Sequence, residues 1–320
     1  MFLINRMQEK NPLEIDLCGI KLRNPLILAS GILGVVPSTM VRLAEAGIGA
    51  LTSKSIGPIP RKGYGNPSVI ELSNGTLLNS VGLANPGVDE FVKEIEEFKS
   101  RTNVPLFVSV FGEDPELYAN IAGRCVDAGA DAVELNISCP HAEVSAIGAS
   151  AELTEIFTKT VKTSIKKPVF VKMTPNVTDI VSIGIAAQKA GADALVAINT
   201  VKGLAIDIET GYPLLSHGIG GLSGPAIKPI GLRCVFELAK SNKIRIPIIG
   251  CGGVSDWSDV IEYMFAGVTC VQIGSAFMAG VHIISEIVLG LQKYLESHNL
   301  KSLTEIKAKS LNCALGELLE

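Results

Sequence analysis

A cysteine that follows directly after an apolar run is the first residue in this sequence that could do chemistry. The run from Ala132 to Ile137 predicts a buried strand, and a serine, Cys139 and Pro140 come next. A thiol held in that position can serve as a general base or as a nucleophile. A free cysteine is more often a small apolar filler of the core. Its interpretation therefore depends on the residues that end the other predicted strands.

Lysines close two of those other strands, at Lys54 and Lys172. A lysine seldom ends a buried strand unless its charge is used or paired, although a long side chain can also reach the surface. Two lysines that point into one site would suit an anionic substrate and a cofactor that becomes anionic on reduction. Nearly all predicted strands have polar or glycine ends, at Ser30 with Gly31, Lys54 with Ser55, Ser109, Asn136, Lys172, Asn199 with Thr200, Gly250 to Gly253, and Gly274 with Ser275.

Three asparagines, Asn79, Asn136 and Asn199, add amide groups that both donate and accept hydrogen bonds. Such groups suit a flat, neutral ring that carries amides of its own, such as a pyrimidine. A capping or turn role is the alternative for each asparagine. Acidic residues and histidines are scarce at the strand ends, which argues against a metal site and against a paired-carboxylate glycosidase. His217 and His282 lie in a loop and at a helix start, and neither is assigned a catalytic role.

Glycines end the last two predicted strands, at Gly250 to Gly253 and at Gly274. They allow backbone N–H groups to approach an anion closely, and barrels of alternating strands and helices commonly bind phosphate after these strands. Glycines also make tight turns in the absence of any ligand. Their occurrence at both strand ends favours a phosphate site.

Eight short apolar runs alternate with amphipathic helical patterns, which predicts an α/β fold of the (β/α)8 TIM-barrel type. Four Ala-Gly pairs, beginning at residues 46, 128, 190 and 266, end helical segments shortly before a strand. A doubly wound open sheet shares the alternation, but the number of strands favours the barrel. The runs lie near residues 25–30, 49–54, 105–110, 131–137, 168–174, 193–199, 246–250 and 269–274.

Two long excursions, residues 55–87 and 201–224, follow predicted strands. Connections of this length usually bind or cover a ligand. The first contains Asn74-Gly75 between alternating runs, which predicts a hairpin. A small N-terminal hairpin around Ile15 is expected over the barrel bottom, and the tail from Ser302 to Glu320 predicts one more helix.

The composition is that of one large domain over residues 1–320, with 47% hydrophobic and 19% charged residues. A net charge of −4 shows no basic stripe for nucleic acid. Seven scattered cysteines favour reduced thiols and argue against an iron–sulfur or zinc site in this chain. The start lacks a secretory pattern and no apolar run has the roughly 18 residues of a membrane span, so a cytoplasmic location is expected.

The order of these motifs resembles the class 1 dihydroorotate dehydrogenases, flavoproteins of pyrimidine biosynthesis, along nearly the whole chain. Two details are similar to the 1B subtype: the Gly-Leu-x-Asn-Pro-Gly form at residues 82–87, and the segment from Gly221 to Pro229. The shared motifs are Thr52-Ser-Lys-Ser55, Leu78-Asn-Ser-Val-Gly-Leu-Ala-Asn-Pro-Gly87, Glu134-Leu-Asn-Ile-Ser-Cys-Pro140, Val171-Lys-Met173, Ile198-Asn-Thr200, Gly220 to Pro229, Ile249-Gly-Cys-Gly-Gly253 and Gly274-Ser275.

The resemblance implies oxidation of dihydroorotate to orotate, with Cys139 taking the C5 proton while a hydride leaves C6 for FMN. Lys172 is expected to stabilise the charge of the reduced flavin. The expected substrate-binding residues are Lys54, Asn79, Ser80, Val81, Gly82, Leu83, Asn136, Asn199 and Thr200. The expected FMN-binding residues are Ser30, Gly31, Lys54, Ser55, Ser109, Asn136, Lys172, Ile198 and Gly224, with Gly252, Gly253, Gly274 and Ser275 on the phosphate.

One position departs from the family pattern, because His141 follows Cys-Pro where the family usually has an asparagine that touches the substrate. The 1B resemblance implies a homodimer, or a heterotetramer with an electron-transfer subunit that carries FAD and a [2Fe–2S] cluster and reduces NAD. A 1A-type enzyme would use fumarate without that subunit. Two further alternatives are a dihydropyrimidine dehydrogenase-like flavoprotein and, from another class, a flavin-free phosphate-binding barrel isomerase or lyase.

Overall fold

Strands and helices alternate through the computed structural model, which describes residues 11–137 and 147–311. The strands are β1 (Ile15–Leu17), β2 (Ile20–Leu22), β3 (Leu26–Leu28), β4 (Ala50–Thr52), β5 (Val69–Ser73), β6 (Thr76–Asn79), β7 (Leu106–Val110), β8 (Ala132–Asn136), β9 (Val169–Met173), β10 (Ala194–Ala197), β11 (Val201–Gly203), β12 (Gly220–Ser223), β13 (Ile248–Cys251) and β14 (Cys270–Ile273). The helices are α1 (Pro37–Glu45), α2 (Val88–Arg101), α3 (Pro115–Asp127), α4 (Ala151–Ser164), α5 (Ile180–Lys189), α6 (Lys228–Lys240), α7 (Trp257–Ala266) and α8 (Ile283–Ser297).

Eight parallel strands close into a barrel in the order β3, β4, β7, β8, β9, β10, β13 and β14, and β14 pairs with β3. Seven of these strands lie within their predicted runs and β13 extends one residue beyond its run, so the (β/α)8 prediction is confirmed. The Ala-Gly pairs also behave as expected, because Gly47, Gly129, Gly191 and Gly267 all adopt positive φ where a helix gives way to a strand.

Two of these Ala-Gly segments continue into an aspartate that fastens the helices to the barrel. Asp131 Oδ2 accepts hydrogen bonds from Lys99 Nζ at 2.9 Å and from the Leu106 N–H at 2.8 Å. Asp193 Oδ2 accepts the equivalent bonds from Lys162 Nζ and the Val169 N–H, at 2.6 and 2.7 Å. The repeated sequence therefore forms the same pair of hydrogen bonds, from a helix lysine and a strand N–H to an aspartate, at two corresponding positions.

The barrel interior is built from layers of inward-facing residues that alternate strands contribute. The lower barrel consists of Ala50, Ala132, Ala194 and Cys270, and above them Ile27, Phe107, Phe170 and Ile249, all in one buried apolar cluster. The polar layer comes next and consists of Thr52, Glu134, Val196 and Gln272. The lysine layer above it consists of Ala29, Ser109, Lys172 and Cys251, and it reaches the carboxyl ends of the strands.

The hairpin of β1 and β2 closes the bottom of the barrel, as the sequence predicts. Ile15, Leu17 and Leu22 are almost fully buried and pack in the same apolar cluster as the lower barrel. Apolar side chains of the hairpin therefore cover the lower opening in the part of the chain that the structure describes.

A four-stranded antiparallel sheet, in the order β11, β12, β6 and β5, lies at that other end and is called the mouth sheet here. The predicted hairpin of β5 and β6 forms one half, and its Asn74 and Gly75 both have positive φ. Strand β12 from the second excursion pairs with β6 from the first. The sequence indicated two separate excursions and not this pairing.

The prediction of a final helix is wrong for the part of the tail that the structure describes. Residues Leu303–Ile306 and Lys309–Leu311 form short 3-10 turns, and residues 312–320 lie outside the described range. Lys307 separates the turns with ψ of 132°, and Ala308 then has φ of 62°, so no continuous helix forms. Across residues 11–137 and 147–311, we find no helix with the length and apolar character of a membrane span.

Candidate active site

A cavity of about 820 Å³ lies between the carboxyl ends of the barrel strands and the mouth sheet. Every predicted substrate-binding or cofactor-binding residue in the described part of the chain lines it. These residues are Ser30, Gly31, Lys54, Ser55, Asn79, Ser80, Val81, Gly82, Leu83, Ser109, Asn136, Lys172, Ile198, Asn199, Thr200, Gly224, Gly252, Gly253, Gly274 and Ser275. Residues from separate strands and from both excursions are thus brought into a single site.

The predicted base Cys139 and the unusual His141 lie in residues 138–146, outside the described residues. The residues on either side of that segment lie at the cavity. Asn136 and Ala149 line it, and a Cβ placed on Gly148 would lie 2.7 Å from the Ile137 carbonyl oxygen. The catalytic role of Cys139 stays a prediction.

Serines and asparagines form a hydrogen-bonded chain across one wall of the cavity. Asn136, at the end of β8, donates from Nδ2 to Ser55 Oγ at 2.9 Å, and the Ser55 and Ser109 hydroxyl groups lie 2.9 Å apart. Asn199 Nδ2 points to Asn136 Oδ1 at 3.4 Å, and Asn199 Oδ1 accepts from the Thr200 N–H. The chain holds the amide groups at defined positions beside the cavity.

Lys54 projects into the cavity from the end of β4 and carries its charge without compensation. No described residue forms a hydrogen bond or ion pair with its ammonium group. Burial lowers the pKa of Lys54, because removal from water disfavours the charged form. A partly buried cation without a protein partner attracts an anion strongly, so this residue is suited to a carboxylate or phosphate.

Lys172 differs from Lys54 in being tied to the protein. Its side chain is buried, and Nζ donates to Gln272 Oε1 at 2.5 Å. Gln272 Nε2 in turn donates to Glu134 Oε2 at 2.5 Å and to Thr52 Oγ1 at 3.2 Å. Glu134 and Gln272 also line the cavity floor. The polar layer thus supports the lysine from below.

Glycines with unusual backbone angles form the rim after β13. Gly252 and Gly253 have φ of +124° and +72°, a region that residues with a Cβ rarely adopt. A Cβ on Gly253 would lie 2.6 Å from the Lys228 Cβ. Only backbone fits at this position, and a ligand can approach its N–H groups closely.

The mouth sheet and the segment that follows β6 form the roof. Asn79 Nδ2 donates to the Gly221 carbonyl at 3.1 Å and so joins the two excursions. Gly82 and Leu83 have consecutive positive φ values of 73° and 56°. Positive φ is uncommon for leucine, and such strain is often found at ligand sites.

Sequence reasoning missed several residues that line or support this cavity. Glu134 and Gln272 could have been found as polar residues at inward positions of otherwise apolar strands. His217 stacks on Tyr64 with ring centroids 3.8 Å apart and also lines the cavity, although the sequence assigned it no role. Nothing in the local sequence distinguishes it from a surface histidine. Thr174, Asn176, Lys202 and Met278 are further lining residues to which the sequence assigned no role.

The site is a cavity at the mouth of a closed (β/α)8 barrel, with two lysines and glycine turns in its lining, an arrangement suited to anionic ligands. The family model for dihydroorotate dehydrogenase matches residues 12–295, and the chain belongs to that family. Curated relatives include the catalytic subunit of dihydroorotate dehydrogenase B (NAD(+)) from Methanosarcina acetivorans, which is 48% identical over 294 residues and covers 91% of this chain and 94% of its own length.

The same subunit from Pyrococcus abyssi is 46% identical over 297 residues, which are 92% of this chain and 97% of its own length. The fold is also similar to a crystal structure of the Eimeria tenella dihydroorotate dehydrogenase in complex with ferulenol. The TM-score is 0.83 at 18% identity, over 96% of this chain and 91% of that chain. At this identity the likeness concerns the fold alone.

Proposed function

We propose that this chain oxidises dihydroorotate to orotate for pyrimidine biosynthesis and uses FMN to do so. The observation that carries the proposal is the meeting, in one cavity, of an uncompensated lysine, a lysine held by the polar layer, a row of amides and a glycine rim. Dihydroorotate offers a carboxylate to a cation and ring amides to asparagines. The relatives named above carry the same activity in their names.

The residues present fit FMN on two grounds. The cavity volume of about 820 Å³ is large for a single small substrate and lies within the usual range of ligand sites. Gly252 and Gly253 both adopt positive φ and line the cavity, and with Gly274 and Ser275 their backbone N–H groups would hold the phosphate. Ser30, Gly31, Ser55, Ser109, Lys172, Ile198 and Gly224 would surround the rest of the group.

The side chains divide the chemistry of the reaction between them. Bound FMN would supply the acceptor for the hydrogen and the two electrons that leave C6. Lys54 would pair with the substrate carboxylate, and Asn79, Asn136 and Asn199 would hold the ring amides so that C5 faces the loop after β8. Cys139 would accept the C5 proton, and nearby positive charge would favour its thiolate form. Lys172 would place positive charge on the floor, where negative charge accumulates during the reaction.

Electrons would leave this chain through a second protein. The relatives are named as catalytic subunits of an NAD(+)-linked enzyme, and we propose a partner subunit with FAD and a [2Fe–2S] cluster in a heterotetramer. The five cysteines that the structure describes, Cys18, Cys125, Cys234, Cys251 and Cys270, are free.

The proposal is tested by measuring orotate formation by the FMN-loaded chain with an artificial electron acceptor. We expect dihydroorotate to be oxidised, and dihydrouracil, which lacks the carboxylate, to react at least 100-fold more slowly. Cys139→Ala should abolish turnover with FMN retained, while the matched variant Cys125→Ala, on the buried face of α3, should behave as wild type. Equal rates with both substrates would exclude the assignment, and turnover with fumarate alone would exclude the 1B-type partner.

A further inference from the structure

An ionisable residue lies in the middle of the barrel at a position that the proposed mechanism leaves unused. Glu134 has no exposed surface, and it belongs to the polar layer between the lower barrel and Lys172. An ionised carboxylate at such depth is very unfavourable unless it is paired and fully hydrogen-bonded. Its hydrogen bonds therefore indicate how it is tolerated.

The direction of the hydrogen bonds fixes the orientation of the Gln272 amide. Lys172 can only donate, so the atom that it contacts at 2.5 Å must be the carbonyl oxygen Oε1. The amide nitrogen then points the other way and donates to Glu134 Oε2 and Thr52 Oγ1. If the amide turned over, its NH2 group would face the ammonium group of Lys172. Glu134 provides the shorter of the two bonds that prevent this.

Glu134 itself is only half satisfied. Its Oε1 atom is buried and has no hydrogen-bond partner among the described residues, and no described lysine or arginine lies within ion-pairing distance. Burial raises the pKa of Glu134, and the opposing influence of Lys172 and Gln272 is smaller. Because Oε2 accepts from Gln272, the proton of the neutral acid belongs on Oε1.

The charge of the glutamate decides what Lys172 can do. An ionised Glu134 would offset the charge of Lys172 through a single intervening amide. A neutral Glu134 keeps the same geometry and leaves a net positive charge at the cavity floor. Since the cavity holds anionic groups in the proposed function, the two protonation states would give very different sites.

We propose that Glu134 is a neutral positioning residue, which holds the Gln272 amide in the orientation that fixes Lys172 and leaves the Lys172 charge uncompensated for an anion in the cavity. This rests on the proposed function for the identity of that anion, which is the flavin after reduction. The hydrogen-bonding part of the proposal concerns the protein alone.

The protonation state can be measured on the FMN-free protein at neutral pH. The infrared difference between wild type and Glu134→Gln should contain the carbonyl stretch of a protonated carboxylic acid, shifted in D2O. Carboxylate bands in its place would overturn the proposal. Because no ligand is needed, this result stands even if wild type fails to bind FMN, an outcome that would count against the proposed function only.

The positioning role is tested by the midpoint potential and dissociation constant of bound FMN. Glu134→Gln preserves both the acceptor and the neutral charge, so the dissociation constant should stay within about twofold of wild type and the midpoint potential should not change. Gln272→Met removes the hydrogen bonds that link Glu134 to Lys172. It should weaken FMN binding at least tenfold and lower the midpoint potential, in the same direction as Lys172→Met. Thr52→Val, which removes the 3.2 Å bond of the same layer, is the matched control and should have a smaller effect.

Two results would contradict the positioning role. A change of potential in Glu134→Gln as large as that in Lys172→Met would show that the wild-type glutamate is charged. A wild-type midpoint potential and FMN affinity in a folded Gln272→Met protein would show that the Gln272 amide does not position Lys172.

Discussion

The lower and upper halves of the barrel interior are made by the same eight strands and have opposite character. In β9, Phe170 packs in the lower barrel against Phe107 with a ring distance of 5.1 Å, whereas Lys172 two residues later donates a hydrogen bond to the Gln272 amide. In β8, Ala132 and Glu134 show the same change. Alternation along a strand keeps both residues inward, so each strand contributes stability at one end and chemistry at the other.

Residues in the two halves of the barrel interior are buried for different physical reasons. The lower barrel is buried because the β1–β2 hairpin and apolar side chains exclude water from it. The polar layer is equally buried, but its three polar members, Thr52, Glu134 and Gln272, are joined by hydrogen bonds, and one oxygen of Glu134 lacks a described partner. Substitutions in the two halves should therefore separate folding from ligand binding.

The largest effect is expected in the lower barrel. Phe170→Ala should lower the free energy of unfolding by about 3–5 kcal/mol, since it leaves a cavity in a close-packed layer. Urea denaturation measures this loss, and Phe170→Leu should recover much of it. Under conditions where the Ala variant is folded, FMN affinity should change by only a few fold. Unchanged stability together with lost FMN binding would contradict the division between the halves.

At the mouth, Lys54→Met should have the converse effect. We expect kcat/KM for dihydroorotate to fall at least 100-fold, about 2.7 kcal/mol, because the substrate carboxylate loses its cation. The free energy of unfolding should stay the same or increase, because an unpaired and partly buried charge has been removed. Steady-state kinetics and urea denaturation of the same preparation measure both quantities. A destabilised variant with normal kinetics would assign Lys54 to the fold instead.

Within the polar layer, the free energy of unfolding of wild type should depend on pH differently from that of Glu134→Gln. The pKa of Glu134 is raised above its ordinary value of 4.5, so the folded state holds a proton that the unfolded state releases. Its contribution is complete below pH 4.5 and is lost as the pH rises toward the folded-state pKa. Relative to Glu134→Gln, wild type should lose up to about 1.4 kcal/mol per pH unit across that window. A difference that stays constant with pH would mean that Glu134 does not hold the proton.

The smallest effect is expected in the mouth sheet. Gly75→Ala causes no steric clash, because the nearest atom to the new Cβ would be Pro225 Cδ at 3.8 Å, but it forces alanine to a φ of +72°. We expect a loss of about 1–2 kcal/mol in unfolding free energy and little change in kcat. Thermal unfolding and kinetics check this. A large fall in kcat would show that the hairpin tip takes part in closing the cavity.

The sequence predicts the barrel well because its signals are local. Each strand is a short apolar run, each helix is amphipathic, and the Ala-Gly pairs mark where one gives way to the other. The cavity residues follow from that regularity, since all strand ends must meet at one mouth.

The parts that sequence reasoning missed depend on contacts between distant segments. The pairing of β12 with β6 joins residues about 140 positions apart, as the Asn79–Gly221 bond shows. The hydrogen bond from Gln272 to Glu134 spans 138 positions, and the local sequence around either residue does not predict it. The tail was misjudged for a local reason, because its helical periodicity gives no sign of the break at Lys307 and Ala308. The roles assigned to individual cavity residues stay predictions.

Single-turnover reduction of bound FMN is the most direct test of whether dihydroorotate is oxidised in the polar upper half of the barrel. The FMN-loaded chain is mixed anaerobically with dihydroorotate, and the visible absorbance of the flavin is followed. We predict rapid and complete bleaching in wild type, at least 100-fold slower bleaching in Lys54→Met, and a normal rate in Phe170→Leu. Yellow protein that dihydroorotate fails to bleach, although dithionite reduces it, would contradict the claim.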